Sequence, residues 1–503
     1  MKFAFGLLTS EVTMDSFPPP AAKGNPRPFN SAQTALIVTV CLDFLLACSP
    51  LAAQQTTPAA QQPNSGAEQV SPTGQLRTGT NSGLDAEARI QNLLADHEYA
   101  RVEAELSQLP PDQALVYRGI LANRSNDLNR SIQILEPLVD SVSSSGNTAR
   151  EHLLRKALAE DYLRLGNLAK AAEEYKILDS RLHDKITPDE QAEIELPVRL
   201  LPLAKDNPQA TVERCDPFKL PASENPLGLV DIPVFVDARS RNWMLDPTLP
   251  FNLISRSTAK EAGVKISSES ATISTLRGRP IQVHVAVIPR LAIGDRLTIH
   301  DMTVFVYDDK DYYFPLNHYQ VEGVLGFPAI AAIGSITVNA DHTVLIRPVK
   351  QLGPLANGDL LTTGTRFYLD GDQVIVAMGT GQQSGPSNGP GDDRMFAVDS
   401  GGQQTYLTSR YFDEHAADFN NQKMEMFSFL GQASTLQPAY IAETIPFKAG
   451  STQFDLHFLR ILTQPLGNAA LDDVYGILGV DALSQLKNYT FDYRTMRFAV
   501  QPQ

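Results

Sequence analysis

Two aspartates of this 503-residue chain stand where their side chains could do chemistry. Asp246 and Asp399 each end a short apolar stretch, Trp243-Met244-Leu245 and Phe396-Ala397-Val398 respectively. A carboxylate at the end of a buried strand can serve as a general acid or base. The sequence has no HExxH pair, no CxxC pair and no Cys/His cluster, so we expect neither a metal site nor a cofactor.

The two aspartates belong to an internal duplication with an offset of 153 residues between equivalent positions. Adding that offset to Gly323-Val324-Leu325-Gly326 gives Gly476-Ile477-Leu478-Gly479, and adding it to residues 336–339 gives residues 489–492. Each half therefore has an aspartate, a double-glycine motif 77 to 80 residues later, and a closing apolar strand. A constant offset across all three features predicts two tandem halves that fold alike.

This pattern resembles the aspartic peptidases, in particular retropepsin-like lobes fused into one two-lobed, pepsin-like chain. The second half carries Asp399-Ser400-Gly401, followed by Tyr475-Gly476-Ile477-Leu478-Gly479. The resemblance covers residues 228–503, a little over half of the chain. It implies that each lobe supplies one aspartate to a site between the lobes.

The chemistry that the resemblance implies uses both Asp246 and Asp399. Two carboxylates within about 3 Å share one proton and titrate as a pair. The ionised member takes a proton from water while the protonated member polarises the scissile carbonyl, without a metal or a covalent intermediate. The residues expected to support this pair are two hydroxyl donors and three glycines near the Asp loops: Thr248, Ser400, Gly401, Gly326 and Gly479.

The first half departs from the family pattern at its centre, where it reads Asp246-Pro247-Thr248. Proline has no hydroxyl and no backbone N–H, and its φ is fixed near about −65°. Thr248 is β-branched where the family has glycine, so a positive φ would be costly there. The Thr248 hydroxyl can replace the missing donor from one residue further on. Asp246 is therefore either a catalytic carboxylate or a turn residue in a decayed site.

Each lobe is also expected, from the resemblance, to carry a hairpin that covers the cleft. The candidates are Leu276-Arg277-Gly278-Arg279-Pro280 in the first lobe and Phe429-Leu430-Gly431-Gln432 in the second. Ordinary β-turns are the alternative for both segments.

The N-terminal part of the chain is typical of an exported protein. Residues 35–47 form an apolar run that follows Lys23 and Arg27 and precedes small residues, which indicates a secretory signal. We assign residues 1–53 to the signal segment and the Gln-, Thr-, Pro- and Ser-rich residues 54–83 to a disordered linker. The expected location is periplasmic or secreted. Leu45-Leu46-Ala47-Cys48 also resembles a lipobox, so a lipid anchor at Cys48 and a retained membrane anchor are alternatives.

Charge and hydrophobic periodicity restrict the partners. The chain has 42 basic and 57 acidic residues, a net charge of −15, which argues against a nucleic acid partner. Apolar residues recur at three- and four-residue steps over residues 84–212, and the segment 158–175 resembles a tetratricopeptide repeat with a Gly166-Asn167 turn. A weaker copy surrounds Asn126, and a third, fainter copy surrounds Tyr99. Such helices could bind a protein partner.

The predicted fold is an N-terminal α-helical, tetratricopeptide-like domain (84–212) followed by a bilobal all-β, aspartic-peptidase-like domain (216–355 and 356–503). The first function hypothesis is an aspartic endopeptidase that cleaves a polypeptide through Asp246 and Asp399. The second is a catalytically weak or inactive peptidase-like module that binds peptides, with a partner-binding helical domain. The third is a helical adaptor in which the β part is only structural.

Overall fold

The computed structural model describes residues 82–213, 215–236, 239–274, 280–348, 360–371, 373–380, 393–402, 404–428, 436–466 and 472–503. The expected signal segment, Cys48 and the linker up to residue 81 lie outside the described residues. Helices fill the described chain up to Ala204, and strands dominate from Thr211 onward. This order confirms the predicted fold class. Among the described residues, no helix has the length and hydropathy that a membrane span requires.

Eight α-helices form the described N-terminal region. They are α1 Ser82–Ala95, α2 Tyr99–Glu105, α3 Pro111–Arg124, α4 Leu128–Leu135, α5 Val139–Ser145, α6 Thr148–Arg164, α7 Leu168–Ile177 and α8 Pro188–Ala204. The predicted segment 158–175 covers the end of α6 and most of α7. The predicted start at residue 84 falls two residues inside α1. The resemblance of this region to tetratricopeptide repeats stays a prediction.

Four of the helix-to-helix turns contain a residue with left-handed backbone. They are His97, Asn126, Gly146 and Gly166, with φ values of 56°, 56°, 73° and 74°, in the turns from α1 to α2, α3 to α4, α5 to α6 and α6 to α7. Glycine and asparagine adopt this conformation more readily than other residues. In the last of these turns, Asn167 caps α7 by accepting a hydrogen bond from Lys170 N at 3.2 Å. The Gly166-Asn167 turn predicted from the sequence is therefore present.

Twenty-four strands follow, with four more α-helices, in the described part of the chain. The strands up to the middle of the β region are β1 Thr211–Glu213, β2 Phe218–Pro221, β3 Ser223–Glu224, β4 Val230–Phe235, β5 Ser240–Leu245, β6 Leu253–Ser255, β7 Ile266–Ser274, β8 Pro280–Ile293, β9 Leu297–Tyr307, β10 Tyr313–Phe314, β11 Tyr319–Gln320, β12 Gly323–Leu325, β13 Gly334–Asn339 and β14 Thr343–Pro348. The helices α9 Arg256–Glu261 and α10 Phe327–Ile333 lie among them.

The second half of the β region has ten described strands. They are β15 Thr365–Asp370, β16 Gln373–Thr380, β17 Arg394–Val398, β18 Tyr406–Leu407, β19 Glu425–Ser428, β20 Leu436–Ala449, β21 Thr452–Leu462, β22 Gly476–Leu478, β23 Leu486–Asp492 and β24 Arg497–Pro502. Two helices, α11 Ser409–His415 and α12 Val480–Leu483, complete it. Because β1 already pairs with β9, the β region begins slightly before the boundary predicted at residue 212.

The two halves have the same strand topology. In the first lobe the order is β7-β8-β9-β6-β12-β5-β4, and a further pairing of β4 with β8 closes the sheet. In the second it is β19-β20-β21-β18-β22-β17-β16, closed by a pairing of β16 with β20. Both halves contain the same two parallel pairs, β5 with β12 and β6 with β9, and β17 with β22 and β18 with β21. The duplication predicted from the sequence is confirmed.

A third set of pairings joins the lobes. Strand β13 of the first lobe pairs antiparallel with β23 of the second, within the order β15-β24-β23-β13-β14-β2. Thr337 lies opposite Thr490, and their hydroxyl oxygens are 2.8 Å apart. These residues are equivalent by the offset of 153, so an approximate twofold axis passes between them. Both hydroxyls are buried, and one of them donates a hydrogen bond to the other.

The helical region contacts both lobes. Helix α8 packs against β7 of the first lobe, where Arg199 donates to the carbonyl oxygen of Thr272 at 3.4 Å. In the second lobe, Asp370 at the end of β15 accepts ion pairs from Arg124 at 2.8 Å and Lys156 at 3.4 Å. Burial acts to raise the pKa of Asp370, but the two cations outweigh it and hold that pKa well below its ordinary value. This buried charge cluster fixes lobe 2 to the helices.

We predict that Asp370→Asn lowers the free energy of unfolding by about 3 kcal/mol, since it leaves two buried cations without one of their counterions. Chemical denaturation of the purified protein measures the change. Asp96→Asn is the matched control, because the Asp96–Arg410 pair also joins the helices to lobe 2 but is more than a third exposed. The control should cost about 1 kcal/mol or less. Equal losses from the two variants would contradict the role given to burial.

Candidate functional site

Each candidate aspartate stands at the end of a strand that runs beside the double-glycine strand. Asp246 follows β5, and its N–H donates to the carbonyl oxygen of Leu325 in β12 at 3.0 Å. Asp399 follows β17, and its N–H donates to Leu478 in β22 at 2.9 Å. The two backbones are therefore held by equivalent bonds. This is the crossing of strand and Asp loop that the resemblance implied.

Gly326 and Gly479, at the ends of β12 and β22, lie very close to the chain segments that follow Asp246 and Asp399. A Cβ on Gly326 would lie 2.1 Å from the carbonyl oxygen of Phe251, and one on Gly479 would lie within 2.9 Å of Gln404 backbone atoms. Both distances are shorter than real contacts of a Cβ. Glycine is required because any larger residue would push the Asp loop off its strand.

Two further side chains hold these glycines, and the sequence reasoning missed both. Gly326 N donates to Asn252 Oδ1 at 3.0 Å, and Gly479 N donates to Thr405 Oγ1 at 2.8 Å. Asn252 and Thr405 are equivalent by the offset of 153, and both are buried. The signal that could have found them is that each lobe has a polar residue six positions after its aspartate, directly before an apolar pair, Leu253-Ile254 or Tyr406-Leu407.

The Asp246 carboxylate is buried and accepts three hydrogen bonds on one oxygen. Oδ1 receives the Thr248 hydroxyl at 2.7 Å, the Thr248 N–H at 3.1 Å and the Ser400 hydroxyl at 3.0 Å. Only 2% of the residue is exposed. Burial raises the pKa of the Asp246 carboxyl above its ordinary value, and these hydrogen bonds act in the opposite direction.

The bond from Ser400 joins the two lobes at the candidate site. Ser400 directly follows Asp399, so the neighbour of one aspartate donates to the carboxylate of the other. Asp399 is half-buried, and its carboxylate lies against Gly402, where a Cβ would be 2.2 Å from Oδ2. Gly401 is buried in the same loop. The structure thus brings the Asp246 and Asp399 loops together through the Ser400–Asp246 bond, while Thr248 donates to Asp246 from within its own loop.

The Asp246-Pro247-Thr248 loop accommodates threonine at the position where the family pattern has glycine. Neither Thr248 nor Gly401, both among the described residues, has a positive φ. The loop therefore avoids the strain that we expected if Thr248 took a left-handed backbone. Thr248 directs both its hydroxyl and its N–H to Asp246 Oδ1. It is a donor one residue further along, as the sequence suggested.

A family model described as "Aspartyl protease" matches residues 232–329. The match contains Asp246 and Gly326, so it lies on the lobe whose motif departs from the family pattern. Together with the strand topology, it supports an aspartic-peptidase-like fold. No curated protein matches the chain.

Similar chains occur among the solved structures, including the following two. The basic 7S globulin from soybean is 11% identical, with a TM-score of 0.36 over 57% of this chain and 95% of the globulin. A retropepsin-like aspartic protease from Rickettsia conorii is 14% identical, with a TM-score of 0.20 over 26% of this chain and 99% of that protease.

The remaining site predictions concern hairpins and metals. Strand β7 pairs with β8 and β19 pairs with β20, but the residues that connect each pair, 275–279 and 429–435, lie outside the described residues, so the two cleft-cover candidates stay predictions. Within the described ranges, no three His, Cys, Asp or Glu side chains are grouped so that they could hold a metal ion.

We predict that Gly326→Ala destabilises the fold by about 3 kcal/mol, because the added methyl would overlap the Phe251 carbonyl. Thermal or chemical denaturation measures the loss. Gly379→Ala on β16 is the control, since its Cβ would meet its nearest neighbour at an ordinary 3.6 Å. A control loss above about 0.5 kcal/mol, or a Gly326 variant as stable as the parent, would refute this packing argument.

We predict that Thr248→Val raises the pKa of Asp246 further, because valine keeps the shape of threonine but removes a donor that favours the ionised carboxylate. A pH titration of the Asp246 carboxyl carbon resonance measures the change. Thr248→Ser keeps the hydroxyl and should titrate like the parent. An unchanged titration in the valine variant would mean that the Thr248 hydroxyl does not control this carboxyl.

Proposed function

We propose that this protein is an aspartic-type endopeptidase that hydrolyses peptide bonds with Asp246 and Asp399. The observation that carries the proposal is the hydrogen bond from Ser400 to Asp246 Oδ1 across the two lobes. It ties the carboxylate of one lobe to the residue beside the carboxylate of the other. A pair of acids held at a seam between lobes can share one proton and one water.

The two acids have different surroundings, and this supports different roles. We assign the shared proton, and with it the polarisation of the substrate carbonyl, to Asp246, because it is the more deeply buried of the two acids and burial raises its pKa. Asp399 is half-buried and acts as the base that takes a proton from the attacking water. After attack, the proton taken from water passes to the leaving nitrogen, and Asp246 regains its proton when the carbonyl re-forms.

The substrate is a polypeptide that lies between the lobes. The hairpins β7–β8 and β19–β20 have equivalent places in the strand order of the two lobes, and we propose that they flank this cleft so that an extended chain contacts both lobes. We propose that the protein works after export, in the periplasm or outside the cell, as the apolar run at residues 35–47 suggests. The helical region is proposed to bind a protein partner on the surfaces that the lobes leave open.

We predict that Asp246→Asn and Asp399→Asn each lower kcat by about 10²- to 10⁴-fold on an unstructured peptide substrate. The parent should show a bell-shaped pH profile, because activity is lost when both carboxyls are protonated at low pH and when both are ionised at high pH. A fluorogenic peptide library, assayed from acid to neutral pH, measures both effects.

Asp413→Asn is the matched control, since Asp413 is exposed on α11 and the change removes the same charge. It should leave kcat unchanged. Cleavage that survives both site substitutions would rule out the two-carboxylate mechanism. A parent protein that binds the peptides but cleaves none at any pH would replace the endopeptidase by the peptide-binding module.

A further inference from the structure

Tyr493 of the second lobe reaches the Asp loop of the first. It follows β23, and its backbone N–H donates to the carbonyl oxygen of Gly334 at the start of β13 at 2.9 Å. Its hydroxyl donates to the carbonyl oxygen of Pro247 in a long hydrogen bond of 3.4 Å. Pro247 is the residue directly after Asp246. A second side chain of lobe 2, besides Ser400, therefore crosses to this loop.

The duplication shows that this contact has no equivalent in the other lobe. The offset of 153 pairs Pro247 with Ser400, and it pairs Tyr493 with Ala340. Pro247 thus accepts a hydrogen bond from a tyrosine, whereas the residue equivalent to that tyrosine is an alanine, which has no side-chain donor. By analogy with the Ser400–Asp246 bond, a serine at position 247 would donate to Asp399, which proline cannot do. The Tyr493 hydroxyl supplies a different bond between the lobes, from lobe 2 to the Asp246 loop.

The tyrosine ring is held in place by aromatic neighbours. Its centroid lies 5.3 Å from that of Phe327, 5.2 Å from Phe367 and 6.5 Å from Phe491, and 4% of the residue is exposed. Burial, and then the nearby Asp246 carboxylate, raise the pKa of Tyr493, so the phenol stays neutral and remains a donor. A fixed ring with a neutral hydroxyl can set the position of the group that it binds.

The group that it binds is one half of the peptide unit that holds Asp246. The Pro247 carbonyl and the Thr248 N–H belong to the same planar peptide. Tyr493 donates to the carbonyl end, and the N–H end donates to Asp246 Oδ1. A donor on the carbonyl fixes the plane of that peptide and polarises its N–H toward the carboxylate.

We propose that Tyr493 is a positioning residue that orients the Asp246 carboxylate through the Pro247–Thr248 peptide. The expected effect on kcat rests on the proposed endopeptidase function, whereas the orientation of the Asp246 carboxylate does not. The Tyr493–Pro247 bond gives the Asp-Pro-Thr loop a second hydrogen bond from lobe 2, besides the Ser400–Asp246 bond.

The kinetic test is Tyr493→Phe, which keeps the ring and removes only the hydroxyl. We expect kcat to fall about tenfold, with KM and the thermal midpoint within error of the parent, because a small misplacement of a reacting group mainly affects the chemical step. Tyr411→Phe is the matched control, since Tyr411 is also a buried tyrosine of lobe 2 and its change should leave kcat unaltered. An unchanged kcat in Tyr493→Phe would overturn the proposal.

A second measurement does not depend on activity. Amide hydrogen exchange at Thr248, followed by NMR, should be at least about tenfold faster in Tyr493→Phe than in the parent, and unchanged in Tyr411→Phe. Exchange at Thr248 that stays at the parent rate overturns the proposal, even if kcat falls. If the parent cleaves no peptide, the endopeptidase proposal fails, and faster exchange at Thr248 still supports the positioning role.

Discussion

The antiparallel pairing of β13 with β23 is the constraint on which the site depends. It places Thr337 opposite Thr490, two residues that the duplication makes equivalent. Once one equivalent pair lies face to face, every other pair is related by the same approximate axis. The loops that follow β5 and β17 are brought to the axis in this way, because each lobe has the same topology. The Ser400–Asp246 bond is the local result of that relation.

The approximate symmetry extends to the backbone of the site but not to its side chains. The bonds Asp246 N to Leu325 O and Asp399 N to Leu478 O are equivalent, as are Phe327 N to Leu249 O and Val480 N to Gly402 O. By contrast, the hydroxyls of Thr248 and Ser400 both donate to the first-lobe carboxylate. A symmetric frame with unequal donors produces two acids with unequal surroundings. Two carboxyls with unequal surroundings differ in how readily each of them holds a proton.

Sequence reasoning located the frame of this site because the frame is repeated. The offset of 153 identified Asp246, Asp399, Gly326 and Gly479 without structural information, and the described fold brings all four to the crossing loops. The same offset would have identified Asn252 and Thr405, which a search restricted to acids and glycines passed over.

Other features could not be predicted from the sequence because they depend on contacts between residues that have no counterpart. Tyr493 is equivalent to Ala340, so the repeat gives no sign of its contact with Pro247. The pairing of Asp370 with Arg124 and Lys156 joins residues more than 200 positions apart in different regions.

The offset between equivalent residues also changes within the lobes. Leu253 pairs with Phe305, whereas its equivalent Tyr406 pairs with Arg460, two positions beyond the residue that an offset of 153 gives. Insertions of this size are visible only once strands are paired.

The helices and the aspartate-bearing strands form one packed body. Along β17, Phe396 and Val398 belong to the apolar cluster shared by the two lobes, whereas Ala397 belongs to the cluster that contains the cores of α1 to α8. Strand β5 alternates in the same way, with Leu245 in the first cluster and Met244 packed against the second. Since side chains alternate between the faces of a strand, the helices' apolar cluster continues onto the same face of both strands. The position of the helices and the position of the two Asp loops are therefore set by the same packing, and the helical region is part of the structure that holds the site.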